Sequence, residues 1–179
     1  LFLPETYQFV KGDSDFDVIK RSHLALEKVL DEAWKSRSAD VKLKTKYELL
    51  ILASIIEKET AVASERSTIS GVFHRRLLKG MKLQTDPTVI YGVGDAYNGD
   101  ITRAHLNTDT PYNTYTRKGL TPTPIAMAST ASIMAAANPK AGKALYFVAN
   151  GQGGHKFSET YDAHLKAVKA YLKLSKSKP

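Results

Sequence analysis

Residues 51–60, with the sequence ILASIIEKET, form an apolar run that ends in two carboxylates. Apolar residues lie on every side of this segment at helical spacing, which is typical of a buried core helix. Such a helix can also supply a general acid, because apolar surroundings disfavour the carboxylate form of a glutamate and raise its pKa. The negative end of the helix dipole acts in the same direction. Sugar-cleaving enzymes of the lysozyme type use a glutamate of this kind.

The two glutamates of this segment face different directions. Side chains two residues apart on a helix point about 200° away from each other, so Glu57 and Glu59 cannot share one site. Glu59 lies above Ile55 and Ile56, whereas Glu57 lies above two smaller residues. The spacing favours Glu59 as the carboxylate on apolar surface. The segment also leaves open a simpler explanation for both glutamates, namely ordinary surface charge at a solvated helix end.

The bulk composition is that of a globular domain. The chain has 179 residues, 42% hydrophobic and 25% charged, which is enough for one domain with a substantial core. No stretch reaches the length of a transmembrane helix. Cysteine is absent, which excludes disulfides and thiol catalysis. Because the chain opens on LFLP, without an initiator Met or a basic leader, we expect a fragment of a longer protein.

The net charge of +8 indicates a basic surface suited to a polyanionic partner, such as a cell envelope or a nucleic acid. Lysines concentrate at residues 42–46 and 173–178, but neither cluster has the interleaved aromatic residues of a nucleic-acid platform. We therefore expect no nucleic-acid partner. No His, Asp or Glu cluster has metal-ligand spacing and no Gly-rich loop has phosphate-binding form, so we expect no metal and no cofactor.

The residue pattern predicts an α+β domain that is rich in helix and has a small sheet. We expect a strand over residues 1–10, helices over 16–35, 46–60, 64–78, 126–137 and 158–172, and a hairpin with strands 144–149 and 155–157. Ser64 and Ser158 are the expected N-caps of the third and last helices. Gly80 is expected to end the third helix.

Residues 81–120 form a long loop without a clear periodic pattern, and such loops are uncommon in compact domains unless they build a site. Its side chains offer stacking faces and hydrogen-bonding groups that suit sugars, although each could equally pin the loop down. Asp86 could instead form a turn or cap ahead of Pro87. His155 follows two glycines and could instead belong to a plain turn. The candidate substrate contacts are Gln84, Asp86, Tyr91, Asn113, Tyr115 and His155.

Several segments together resemble the YceG-like family of bacterial endolytic murein transglycosylases. They occur in one order along essentially the whole chain, which is more specific than any single motif. The segments are residues 3–7 (LPETY), 53–61 (ASIIEKETA), 83–92 (LQTDPTVIYG), 112–115 (YNTY), 145–149 (LYFVA) and 153–157 (GGHKF).

The resemblance implies a lysozyme-like α+β catalytic domain over residues 1–179, without the membrane helix and LysM-like region of family members. The full-length protein would be anchored at the periplasmic face of the bacterial inner membrane and would associate with peptidoglycan synthases. The family motif places the catalytic glutamate at Glu59, with Glu57 and Thr60 in supporting positions. Thr121, Thr123 and residues 73–76 depart from the family pattern.

The implied reaction cuts the β-1,4 bond between N-acetylmuramic acid and N-acetylglucosamine without adding water. Glu59 would protonate the glycosidic oxygen and then accept the proton of the C6 hydroxyl, which closes a 1,6-anhydro ring. A second catalytic carboxylate is then not required. Two alternatives stay open: a lysozyme-type hydrolase, and a non-catalytic peptidoglycan-binding or divisome scaffold module.

Overall fold

Seven α-helices and one antiparallel hairpin make up residues 1–176, the part of the chain that this computed structural model describes. The α+β prediction is confirmed. The helices are α1 (Asp15–Lys35), α2 (Lys46–Glu59), α3 (Arg66–Leu78), α4 (Asp86–Val93), α5 (Arg103–Asn107), α6 (Thr130–Ala137) and α7 (Tyr161–Lys176), with single-turn 3₁₀ helices at Ala63–Glu65 and Gly94–Ala96. The strands are β1 (Tyr146–Ala149) and β2 (His155–Ser158).

Helix α2 is the centre of the core. Its residues 49–56 are all buried, as expected for a helix that is apolar on every side. Helix α6 packs along it most extensively, and α1 and α3 flank it. The helix ends at Glu59 because Thr60 adopts an extended conformation with φ −146° and ψ 135°. The polar end of α2 therefore emerges from the core as the chain turns away.

Helix α1 covers one side of this core with a stripe formed by Leu26, Leu30 and Ala33. Ser14 caps its first turn, and its side chain accepts a hydrogen bond from the Asp17 N–H. Helix α6 begins at Thr130 rather than at the predicted residue 126. The reason is that Ser129 is extended and its side chain accepts from the Ser132 N–H.

The hairpin pairs Tyr146 with Ser158 and Ala149 with His155. The Phe147 ring anchors it to α3, since its centroid lies 5.9 Å from that of Phe73 in an edge-on contact. In the connecting turn, the Asn150 N–H donates to the Gly154 carbonyl at 2.8 Å. This turn fixes the position at which His155 begins β2.

Residues 1–10 form no strand, so that prediction is wrong. The segment runs along α1 instead, where Leu3 is buried and its carbonyl accepts from the Ser22 hydroxyl at 3.0 Å. Leu3 is its one buried side chain, whereas Phe9 and Val10 are 74% and 70% exposed, so the apolar alternation marks no packed face. No strand of the described residues pairs with this segment. No helix of residues 1–176 is long and apolar enough to cross a membrane.

Two predicted N-caps are also wrong. Ser64 lies inside the Ala63–Glu65 turn, and Ser158 is the last residue of β2. The Thr160 hydroxyl accepts from the Ala163 N–H at 3.2 Å in the first turn of α7. The predicted stop at Gly80 is confirmed by its φ of +62° directly after the C-cap of α3.

The long loop contains two short helices that the sequence analysis missed. Helix α4 begins at Asp86 with Pro87 in its first turn, a favoured position because proline lacks an N–H that the first turn would leave unpaired. Helix α5 begins after Thr102, whose side chain accepts from the His105 N–H. Both helices are too short for a clear periodic signal.

Candidate active site

Glu59 is the last residue of α2 and is largely surrounded by protein. The Thr85 hydroxyl, which is itself buried, donates to Glu59 Oε2 at 2.5 Å. Burial raises the pKa of the Glu59 carboxyl, and the negative charge of Asp86 adds to this rise. The hydrogen bond from Thr85 and the charge of His155 act in the opposite direction without cancelling it. Glu59 therefore holds its proton to a higher pH than a free glutamate.

Two segments of the long loop are joined beside this carboxyl. The Gln84 N–H donates to the Thr114 carbonyl at 3.1 Å, and the Thr85 N–H donates to the Thr114 hydroxyl at the same distance. The Thr88 and Thr114 hydroxyls are also hydrogen-bonded, at 2.8 Å. This buried network holds Thr85 in place against Glu59.

Asp86 and Tyr115 form a polar pair next to Thr85. The Tyr115 hydroxyl donates to Asp86 Oδ1 at 2.6 Å. Burial, the bond to Asp86 and the charges of Asp86 and Glu59 all raise the pKa of the Tyr115 phenol. Tyr115 is therefore a protonated donor throughout the physiological range. Asp86 is the first residue of α4, where the helix dipole favours its negative charge.

His155, on the hairpin, acts on the Glu59 carboxyl through its charge and is held by the carboxylate of Glu65. Its backbone N–H donates to Glu65 Oε1 at 2.9 Å, and its Nδ1 lies 2.7 Å from Glu65 Oε2. Burial raises the pKa of Glu65, but hydrogen bonds from His155 and Thr60 and the charge of His155 outweigh it, so the pKa lies below its ordinary value. The sequence analysis missed Glu65, because nothing in its local pattern links it to a residue of the hairpin.

Thr60 follows Glu59 directly and is buried. Its hydroxyl accepts from the Val62 N–H at 3.0 Å and also helps to lower the pKa of the Glu65 carboxyl. Thr60 thus connects the end of α2 to the turn that carries Glu65.

Glu57 faces away from this group and has its own partners. Its Oε2 accepts from the Ser129 N–H at 3.1 Å and from the Ser129 hydroxyl at 2.5 Å, at the start of α6. Burial raises the pKa of Glu57, but these bonds and the charge of Arg66 lower it below its ordinary value. The two glutamates have separate partners, as their helical spacing predicted.

Three other sequence candidates have different surroundings. Gln84 is exposed, has a φ of +53°, and its side-chain carbonyl accepts from Arg76 at 3.3 Å. Tyr91 is 45% exposed, and its ring centroid lies 4.8 Å from that of Tyr112. Both side chains have free surface. Asn113 does not, since it is only 1% exposed.

The expectation that the Asn113 side chain contacts a sugar is therefore corrected. Its amide donates to the carbonyls of His105, Leu106 and Thr108 at 3.2, 3.1 and 2.7 Å. Its side-chain oxygen accepts from the Tyr115 N–H at 2.8 Å. Every polar atom of the side chain is thus used within the loop. Asn113 holds the backbone in the conformation that places Tyr115.

Arg76 is a second residue that the sequence analysis missed. It is buried, and its guanidinium donates to the carbonyls of Leu145, Lys82 and Leu83 at 2.7, 2.9 and 2.8 Å. Burial lowers its pKa, although five donors and a delocalised charge keep such a group protonated. Arg76 thereby ties the hairpin to the segment that leads into Thr85.

No group of three or more His, Asp or Glu side chains with metal-binding geometry occurs among the described residues. The fold and the site together define an α+β domain with a proton-holding carboxyl at the end of its core helix. Hydroxyl, carboxylate and imidazole groups from the long loop and the hairpin surround this carboxyl.

The chain belongs to the YceG-like family, whose sequence profile matches residues 1–170. It is 38% identical over 169 residues to the endolytic murein transglycosylase of Bacillus subtilis, covering 94% of this chain and 46% of that relative. It is 33% identical over 152 residues to the endolytic murein transglycosylase of Streptococcus pneumoniae strain D39, covering 82% of this chain and 27% of that relative. The chain thus spans less than half the length of these relatives.

A solved structure gives the same assignment. The crystal structure of a YceG-like protein from Listeria monocytogenes superposes with a TM-score of 0.77 at 36% sequence identity. The match covers 92% of this chain and 53% of that protein.

Proposed function

We propose that this chain is the catalytic region of an endolytic peptidoglycan lytic transglycosylase, a lyase that cuts between N-acetylmuramic acid and N-acetylglucosamine. The observation that carries the proposal is the Glu59 carboxyl, whose pKa is raised at the end of the core helix. Support also comes from the family, since the curated relatives are named endolytic murein transglycosylases.

In the first step, the protonated Glu59 gives its proton to the glycosidic oxygen, and the bond from that oxygen to C1 of the muramyl residue breaks. A raised pKa serves this step because the acid must keep its proton near neutral pH. The Thr85 hydroxyl then stabilises the carboxylate that forms, since a hydrogen bond to an ionised group is stronger than one to a neutral group.

In the second step, the Glu59 carboxylate takes the proton of the C6 hydroxyl of the same muramyl residue. The C6 oxygen attacks C1 and closes the 1,6-anhydro ring, which leaves Glu59 protonated again. Attack within one molecule has a high effective concentration, so no held water and no second catalytic carboxylate are needed.

The site residues have two roles in this proposal: some bind the glycan, and others support the end of α2. Tyr115 and Asp86 form a rigid polar pair beside the acid, suited to bind sugar hydroxyls. Gln84, which precedes Thr85, and Tyr91, on α4, have exposed side chains that extend the contact along a glycan strand. Glu57 and Thr60 support the end of α2 from either side without contacting the substrate.

Digestion of purified glycan strands, with product masses read directly, tests this function. The expected products end in 1,6-anhydromuramyl residues and are lighter by one water than hydrolysis products. Glu59→Gln should abolish cleavage, whereas the control Glu57→Gln on the same helix should remain active. Products carrying the added water would identify a hydrolase. Binding without any cleavage would identify a glycan-binding or scaffold module.

We also propose that the full-length protein is anchored at the periplasmic face of the inner membrane and works beside peptidoglycan synthases. Family membership is the support for both statements. Co-purification of synthases with the full-length protein from detergent-solubilised membranes would test the second.

A further inference from the structure

The Glu65 carboxylate joins three parts of the site. It follows α2 in the turn Ala63–Glu65 and makes no side-chain cap for α3, although it occupies the N-cap position. Instead it crosses to the hairpin, where its two oxygens meet the backbone N–H and Nδ1 of His155 at 2.9 and 2.7 Å. Thr60, the residue after the proposed acid, helps to lower the pKa of this carboxylate.

This two-point contact fixes both the backbone and the ring of His155. Phe147 adds a third restraint, since its ring meets the imidazole edge-on with centroids 5.3 Å apart. When Nδ1 of an imidazole is held by a carboxylate, Nε2 is the nitrogen left to bind another group. No residue of the described chain makes a hydrogen bond to Nε2 of His155.

The hairpin turn accommodates this contact closely. A Cβ atom added at Gly154 would lie 2.7 Å from Glu65 Oε1, which is nearer than such atoms can approach. The absence of a side chain at Gly154 therefore lets the Glu65 carboxylate reach the His155 backbone.

We propose that Glu65 is a positioning residue, which orients His155 so that Nε2 faces the glycan bound beside Glu59. This proposal rests on the proposed function. The side chains of Glu65 and His155 are 17% and 16% exposed, so the pair is shielded from bulk water yet His155 retains some open surface. The charge of His155 also lowers the pKa of Glu59, so the imidazole interacts electrostatically with the proposed acid.

A double-mutant cycle on glycan cleavage tests this role. Because Glu65 acts through His155, Glu65→Ala and His155→Ala should each lower kcat/KM about tenfold or more, and the double variant should be no worse than His155→Ala alone. Glu159→Ala is the matched control, since this exposed glutamate follows the same hairpin and should leave cleavage unchanged. Additive losses in the double variant would overturn the proposal.

Gly154→Ala provides a second variant that keeps both side chains of the pair. It should also lower kcat/KM, because the added methyl group displaces Glu65. If a thermal melt shows that Glu65→Ala does not fold, Gly154→Ala replaces it in the test. Wild-type cleavage by a folded Glu65→Ala or Gly154→Ala would overturn the positioning role while leaving the proposed function intact.

A measurement without substrate separates the two proposals further. In ¹⁵N NMR of the imidazole rings, His155 should show a protonated Nδ1 that exchanges slowly with water, and Glu65→Ala should abolish this protection. The His155→Ala spectrum assigns the signal among the five histidines. A wild-type His155 whose Nδ1 proton exchanges rapidly with water refutes the proposed hydrogen bond between Glu65 and His155. A wild type that cuts no glycan refutes the proposed function, and the positioning role falls with it.

Discussion

The structure predicts that the two glutamates of α2 can be separated by mutation, one affecting stability and the other activity. Glu57→Ala removes the acceptor for both Ser129 donors at the start of α6. Glu59→Gln keeps an acceptor for the Thr85 hydroxyl but removes the transferable proton. We expect Glu57→Ala to lose stability but keep its activity, and Glu59→Gln to fold but be inactive.

The magnitude for Glu57→Ala follows from its contacts. Hydrogen bonds to a charged group contribute about 1.5–3 kcal/mol, and a carboxylate at a helix N-terminus adds about 0.3–1 kcal/mol. Because Glu57 is partly open to solvent, which weakens both effects, we expect a loss of about 2 kcal/mol in the free energy of unfolding. In a domain of this size, each kcal/mol changes Tm by about 2–4 °C, so Tm should fall by about 4–8 °C.

The same contacts predict how this loss depends on pH. The pKa of Glu57 is lowered in the folded state, so its stabilising contribution is present above the pKa of the unfolded chain. That contribution disappears as pH falls through the lowered pKa. The difference in Tm between wild type and Glu57→Ala should therefore shrink in strong acid.

Thermal unfolding and glycan digestion, run on the same preparations, check both halves of this prediction. Glu57→Gln is the intermediate variant, because its amide oxygen still accepts from Ser129 but carries no charge. An inactive Glu57→Gln together with an active Glu59→Gln would refute the assignment of the acid. A Glu57→Ala variant that melts with the wild type would refute the stabilising role.

Four further outcomes are expected. Cleavage should fall as pH rises through the raised pKa of Glu59, and a rate that stays flat to about pH 9 would contradict this. Glu59→Gln should raise Tm at neutral pH but not at acid pH. The pKa of Glu59 is higher in the folded protein than in the unfolded chain, so its ionisation destabilises the fold only above the pKa of the unfolded chain. Asn113→Ala should cost about 1–3 kcal/mol in thermal or denaturant unfolding, since it leaves buried loop groups unpaired. Early digests of long strands should contain a spread of intermediate lengths, and disaccharides alone would show cutting from chain ends.

The site was predictable where it depends on local sequence. Residues 51–56 are apolar except for Ser54, so their burial follows from composition alone, and the separation of Glu57 from Glu59 follows from helical geometry. The local sequence pattern gave a wrong prediction where the structure of a segment depends on which other segment it contacts. The alternation in residues 1–10 resembles a strand, but that segment is bound to α1 at Leu3, is otherwise mostly exposed, and pairs with no strand of the described chain.

Residue type was also a poor guide to exposure inside the long loop. Asn113 and Gln84 carry the same amide chemistry, yet one is buried with every polar atom paired and the other is exposed. A loop without periodicity contains no signal that separates such residues. Only the path of the folded backbone decides which amide meets the carbonyls.

The sequence by itself determined the buried helix, the direction of its two carboxylates and the family to which the chain belongs. The tertiary structure alone decided the surroundings of Glu59. Thr85 is 26 residues away from Glu59 along the chain, and the partners Glu65 and His155 are 90 residues apart. Hydrogen bonds and charges act over a few ångströms in space, whereas sequence periodicity reports only neighbours within a few turns of one element.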